Sequence, residues 1–131
     1  MAEQDNLDLV NKGFDAFNSG DAATLSDIIH ADAAQNMPGD NKFSGVHQGR
    51  DDILGMYGQM GADTNGTFGA NLQGLKADGP DRVIATYKAQ GERNGKKLDT
   101  THSLAFDIKD GKVVKMDDST NDVAAWDDFW D

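Results

Sequence analysis

From Leu98 to Lys109 the chain alternates. Leu98, Thr100, His102, Leu104, Phe106 and Ile108 share one side, with Asp99, Thr101, Ser103, Ala105, Asp107 and Lys109 on the other. A period of two marks a strand with one buried face, and here an imidazole occupies a position on the apolar side. A second alternating run carries Val114, Met116, Asp118 and Thr120 in phase. A two-residue turn at Asp110-Gly111 would pair Phe106 with Lys115 and put an ammonium on the apolar face. It would also set Ser119 opposite His102. A three-residue loop, Lys109-Asp110-Gly111, with Gly111 in a left-handed bulge, pairs Phe106 with Val114, Leu104 with Met116 and His102 with Asp118. Register follows the hydrophobic pattern, so the three-residue form is expected, with His102 facing Asp118. Asn121 or Asp122 then caps a short helix that stacks Val123, Trp126, Phe129 and Trp130 on one stripe. Too short to be stable alone, this helix is expected to cover the apolar face as an aromatic lid.

Upstream, Leu7, Val10, Phe14 and Phe17 recur at helical spacing and stop at Ser19-Gly20. Asp21 caps a shorter helix burying Leu25, Ile28 and Ile29. Periodicity disappears from Ala33 to Gly49, which reads as an irregular loop at a pocket mouth. Gly49-Arg50-Asp51-Asp52 opens a third helix with Ile53, Met56, Tyr57 and Met60 on one face, ended by Gly61. A strand begins near Thr67, bent at Gly74. Another runs from Arg82 to Gln90, and Arg93-Asn94-Gly95-Lys96 forms a turn. The expected fold class is α+β: three helices, four strands in an antiparallel meander and a closing helix, with the helices on one side of a curved sheet.

The length of 131 residues suits one domain, 1–131, with a full core. A net charge of −11, from 23 acidic against 12 basic residues, repels phosphate backbones and leaves no basic face for a membrane. Neither nucleic acid nor membrane is therefore expected as a partner. No cysteine is present, which excludes disulfides and thiolate chemistry. The polar start of the chain is unlike a signal peptide, and a cytoplasmic protein is expected. The three histidines are scattered without metal-ligand spacing, and no glycine-rich loop joins a strand to a helix, so neither a metal nor a cofactor is expected.

Several stretches together resemble the SnoaL-like group: "SGDAATLSDIIHADA", "MPG", "SGVHQGRDDI", "FDIKDGKVV" and "NDVAAWDDFW". The resemblance spans about Leu7 to Trp130. It implies the cone-shaped, cystatin-like roll of the nuclear-transport-factor-like superfamily, which also holds the ketosteroid isomerases. It further implies a homodimer formed through the sheet face and a cavity for a small apolar ligand. Fold alone leaves the reaction open. Ketosteroid isomerases place a carboxylate base where this chain has Met37, and a tyrosine where it has Gly13 and Phe14, so that mechanism is not supported. SnoaL-type polyketide cyclases use an aspartate of the sheet as acid/base, and Asp118 stands in a comparable position. An aromatic is usual in the family before the loop proline; Gln35 and Asn36 here imply a more polar pocket.

The expected catalytic pair is His102 and Asp118, a carboxylate orienting an imidazole. Asn36, Met37, His47, Tyr57, Met116 and Trp126 are the expected substrate-binding residues. The expected function is binding of a small, largely apolar molecule, with proton transfer, isomerisation, cyclisation or dehydration and no metal or cofactor. The competing reading is a non-catalytic ligand-binding or dimeric accessory module. An open cavity with converging polar groups favours catalysis; one plugged by Met37, Met56, Met60 and Met116 favours binding.

Overall fold

A computed structural model describes residues 2–131. Helices α1 (Ala2–Ser19) and α2 (Ala22–Ile28) precede strands β1 (Ile29–Met37) and β2 (Gly45–Gln48). Helix α3 (Arg50–Asp63) leads into β3 (Gly69–Ala77), β4 (Arg82–Arg93), β5 (Lys96–Lys109) and β6 (Lys112–Thr120), and α4 (Val123–Trp130) closes the chain. One six-stranded sheet has the order β2-β1-β6-β5-β4-β3. Its neighbours pair antiparallel except for β1 with β6, which are parallel.

The stretch expected to be a structureless loop, 33–49, therefore supplies a sheet strand and an edge strand. Ala33, Gln35 and Met37 are buried in alternation along β1. A small, a polar and a flexible residue share that inner face, so hydrophobic periodicity gives no signal there. The four-stranded meander is corrected to a mixed sheet of six strands, with the expected hairpins intact.

Capping follows the chemistry. Asp21 accepts from the backbone of Thr24 at 3.1 Å, and Asp122 from Ala125 at 3.1 Å, satisfying free amides at the starts of α2 and α4. Helix α1 lays Val10 and Phe14 on the sheet, where Phe14 packs on Tyr87 and Phe106 with ring centroids 5.5 and 6.1 Å apart. Asn18 holds β3 from the side, donating to Ala70 O and accepting from Ala70 N at 2.8 and 2.9 Å.

The β5–β6 hairpin differs from expectation in register. Asp110 and Gly111 have φ of 51° and 76°, the two positive values of a tight primed turn, with Lys109 opposite Lys112. A bulge then follows: Ile108 faces Val113 while Asp107 faces Lys115, leaving Val114 unpaired. Beyond it Phe106 faces Met116, Leu104 faces Asp118 and His102 faces Thr120. The short turn and the bulge together shift each partner by two residues from the expected register. A shift of two preserves which side chains point inward, so Met116 and Asp118 remain on the buried face.

Candidate functional site

Between the sheet and the helices lies a cavity of about 80 Å³. Its wall is mainly apolar, built from α1 (Phe14, Phe17), β5 (Leu104, Phe106) and β6 (Val113, Met116), with Trp126 of α4. Polar chemistry reaches it through Gln35 on β1, Tyr57 on α3 and Tyr87 on β4. Met37 and Met60 complete the flexible part of the lining.

His102 and Asp118 do meet, although they are not directly opposite. Nδ1 of His102 lies 3.2 Å from Oδ2 of Asp118, and both side chains are fully buried. The diagonal separation across two strands is within the span of these side chains. Tyr87 donates its hydroxyl to the same Oδ2 at 2.9 Å. On the far side of the imidazole, Nε2 lies 2.8 Å from Thr100 Oγ1. With Asp118 ionised the carboxylate only accepts, so Nδ1–H donates to it and Nε2 accepts from the threonine hydroxyl. The result is a continuous line, Tyr87–Asp118–His102–Thr100. Tyr87 stacks on His102 with centroids 5.0 Å apart, and Trp126 presents an edge to it at 4.6 Å.

Burial raises the Asp118 pKa above the ordinary carboxylate value, and the hydrogen bonds from His102 and Tyr87 oppose that shift. Burial, reinforced by the Asp118 charge, raises the phenol pKa values of Tyr57 and Tyr87. Both tyrosines therefore remain hydroxyl donors at neutral pH. Tyr57 donates to Gln35 Oε1 and also lies 3.7 Å from Met116 Sδ.

The expected site residues divide three ways. Met37, Tyr57, Met116 and Trp126 line the cavity. His102 and Asp118 are joined but are not part of its wall, correcting the expectation that both would line it. Their connection runs through Tyr87. Asn36 and His47 point elsewhere. Strand alternation turns Asn36 away from Gln35 and Met37, and its Nδ2 donates to Asp117 Oδ1 at 3.0 Å. His47 Nε2 donates to the Phe43 carbonyl at 2.7 Å, holding the β1–β2 connection. Met56 is buried in the core and does not line the cavity.

Sequence reasoning assigned no role to Tyr87 or Thr100, and took from Gln35 only that the pocket is more polar. The first was accessible, because Val83, Ala85, Tyr87 and Ala89 are the buried alternate positions of β4 and Tyr87 is the polar member. Thr100 stood on the inward face without a partner assigned to it. Reading β1 as a loop left the inward direction of Gln35 and its partner Tyr57 undetermined.

The model for the SnoaL-like domain matches residues 10–116. A protein of Mycobacterium tuberculosis is 31% identical over 130 residues, covering 99% of each chain. The crystal structure of Bal32a, from a soil-derived mobile gene cassette, covers both chains completely at 36% identity and a TM-score of 0.97. A candidate polyketide cyclase from Sinorhizobium meliloti is 28% identical, with a TM-score of 0.69, covering 86% of this chain and 94% of its own. With the family model spanning most of the sheet and the helices packed on it, the chain belongs to the SnoaL-like family.

Proposed function

We propose that the cavity binds a small, largely apolar molecule and that Tyr87, backed by Asp118 and His102, exchanges a proton with it. This is the chemistry of a cofactor-free isomerase, cyclase or dehydratase. The observation that carries the reading is the hydrogen-bonded line from the cavity wall at Tyr87 to Asp118 and His102 behind it. A phenol held protonated is a poor base on its own. As a relay it takes a proton from an acidic C–H or O–H of the ligand while its own proton passes to Asp118 Oδ2. The reverse transfer returns a proton to another atom of the ligand. Burial raises the Asp118 pKa above the ordinary carboxylate value, which makes it a better proton acceptor than a solvated carboxylate. The likeness to the candidate cyclase from Sinorhizobium meliloti supports the same direction.

The size of the cavity favours a second reading, binding without catalysis. At about 80 Å³ it is small, beside the ~150 Å³ void that holds benzene in an engineered protein. Three methionines, Met37, Met60 and Met116, fill its wall and are adaptable enough to admit or exclude a ligand. Mass spectrometry of the natively purified protein identifies the retained molecule. Turnover of that molecule, or of compounds one proton shift removed, then separates the readings. In the catalytic case Asp118→Asn lowers turnover at least about a hundredfold; full activity in a folded variant leaves binding as the function.

For the dimer, we propose that a second copy covers the outer sheet face. Ile84 faces Ala105, Thr86 faces Ser103, and Ser103 faces Ser119, making a run of uncharged side chains across three strands, with Asp117 beside it opposite Ala105. Light scattering at low micromolar concentration that reports only monomer overturns it.

A further inference from the structure

We infer that Gln35 reads a carbonyl oxygen of the ligand. This rests on the small-apolar-ligand reading above and deepens it by assigning the polar atom that the ligand carries.

The Gln35 carboxamide lines the cavity and is almost wholly buried, at 3% exposure. Tyr57 donates its hydroxyl to Oε1, and the orientation of the amide follows from its other end, because the reversed amide would set Oε1 against the Met37 thioether, which has no proton to donate. The opposite end, Nε2, has two hydrogens. Its partner within the protein is the thioether of Met37, with Sδ 3.3 Å away, and a thioether is a weak acceptor. A strong donor is thus held in a fixed direction, beside a cavity, against a partner that yields easily. Buried amide groups ordinarily find full-strength partners. A ligand carbonyl supplies one, and the flexible Met37 side chain is free to move aside for it. Trp126 adds a second unused donor to the same wall, its buried Nε1–H lacking a partner among the described residues. Among the described residues, no carboxylate, ammonium or guanidinium lines the cavity. The ligand class is therefore a neutral, compact ketone, aldehyde or lactone, with an otherwise hydrocarbon body.

The test uses cyclohexanone and methylenecyclohexane, which differ in having oxygen or a methylene at the same place. Titrations followed by proton–nitrogen correlation spectra of the full chain report affinity and, at the same time, the side-chain amide signals. The Gln35 pair is assigned by its loss in Gln35→Leu. The expected result is that the ketone binds about tenfold to a hundredfold more tightly, the range for one buried hydrogen bond gained or lost. It also moves the Gln35 amide signals, and Gln35→Leu abolishes the preference. Gln35→Met serves as a second apolar variant if the leucine protein does not fold. Equal binding of the two probes, or ketone binding that leaves the Gln35 signals in place, overturns the assignment to Gln35 but keeps the cavity as a ligand site. Failure of both probes to bind overturns this inference and the small-ligand reading together.

Discussion

The hydroxyl of Tyr87 donates to Asp118 Oδ2 across 2.9 Å, and this bond joins the cavity wall to the buried imidazole. Tyr87→Phe preserves the ring that stacks on His102 and removes the hydroxyl alone. It leaves Asp118 with one donor fewer in a buried place, so stability drops by about 1–3 kcal/mol in urea unfolding. If Tyr87 relays protons, turnover of the ligand identified by mass spectrometry falls at least about a hundredfold while its affinity changes much less. A folded Phe variant with unchanged turnover removes Tyr87 from the chemistry.

Asp118 also makes a prediction about pH. Its pKa in the folded protein is raised above the ordinary value of 3.8 by burial, so the folded state holds the proton more tightly than the unfolded chain. The stability this carboxyl contributes is fully present below 3.8 and is lost as pH rises through the raised folded value, by about 1.4 kcal/mol for each pKa unit displaced. Asp118→Asn has no such dependence. The variant should therefore gain on the parent between pH 4 and pH 8, measured as the difference in unfolding free energy. A difference that is flat, or that grows in favour of the parent, means that the bonds from His102 and Tyr87 outweigh burial.

The inward faces of β5 and β6 were readable because alternation specifies parity. The pairing of His102 with Asp118 rests on more than parity. Choosing between two turns assumed that the strands ran regularly beyond the turn, and the unpaired Val114 breaks that assumption. Val113-Val114 gives no bulge signal of the kind a glycine would. The inference that His102 and Asp118 lie within reach survived for a physical reason: the actual register differs by two residues, so Met116 and Asp118 keep their inward side, while ahead of the bulge Val113 is buried in place of the expected Val114. At β1 the sequence was less informative. There Gln35 sits buried among apolar neighbours, and its hydrogen bond from Tyr57 is supplied by a helix 22 positions away. No local pattern encodes that partner: Gln35 and Asn36 together implied a more polar pocket, and that Gln35 rather than Asn36 faces it became visible only in three dimensions.

Gly55 and Gly58 lie on the exposed side of α3, and an added methyl group at either meets nothing within 4 Å. Glycine in a helix interior is less favourable than alanine by about 1 kcal/mol, chiefly through the freedom of the unfolded chain. Gly55→Ala and Gly58→Ala should each raise the denaturation midpoint without altering the cavity. Gly39→Ala should do the reverse, because φ is +87° there and a Cβ would fall 2.1 Å from Asp127 Oδ1. Comparing the three midpoints checks both directions.

The last prediction concerns how α4 stays closed over the site. Asp127, Asp128 and Asp131 gather at its C-terminal end, where the helix dipole is already negative. Arg93 and Lys96, flanking the β4–β5 turn, offset this. Arg93 donates from one nitrogen to the carbonyls of Phe129 and Asp131 at 3.1 and 3.0 Å, and Lys96 to that of Asp128 at 2.7 Å. Cations placed on free carbonyls at a helix end contribute about 0.3–1 kcal/mol each, up to ~2 when partly buried. Arg93→Met retains much of the aliphatic bulk and removes both hydrogen bonds, so it should destabilise the fold by about 1 kcal/mol. The loss should concentrate in α4, which carries Trp126 over His102 and packs Trp130 on Phe43 at 4.8 Å. Backbone hydrogen exchange should therefore accelerate from 123 to 130 more than in β5, and acrylamide should quench tryptophan fluorescence more readily. If exchange rises equally in β5 and α4, Arg93 supports the whole fold and α4 has no separate latch.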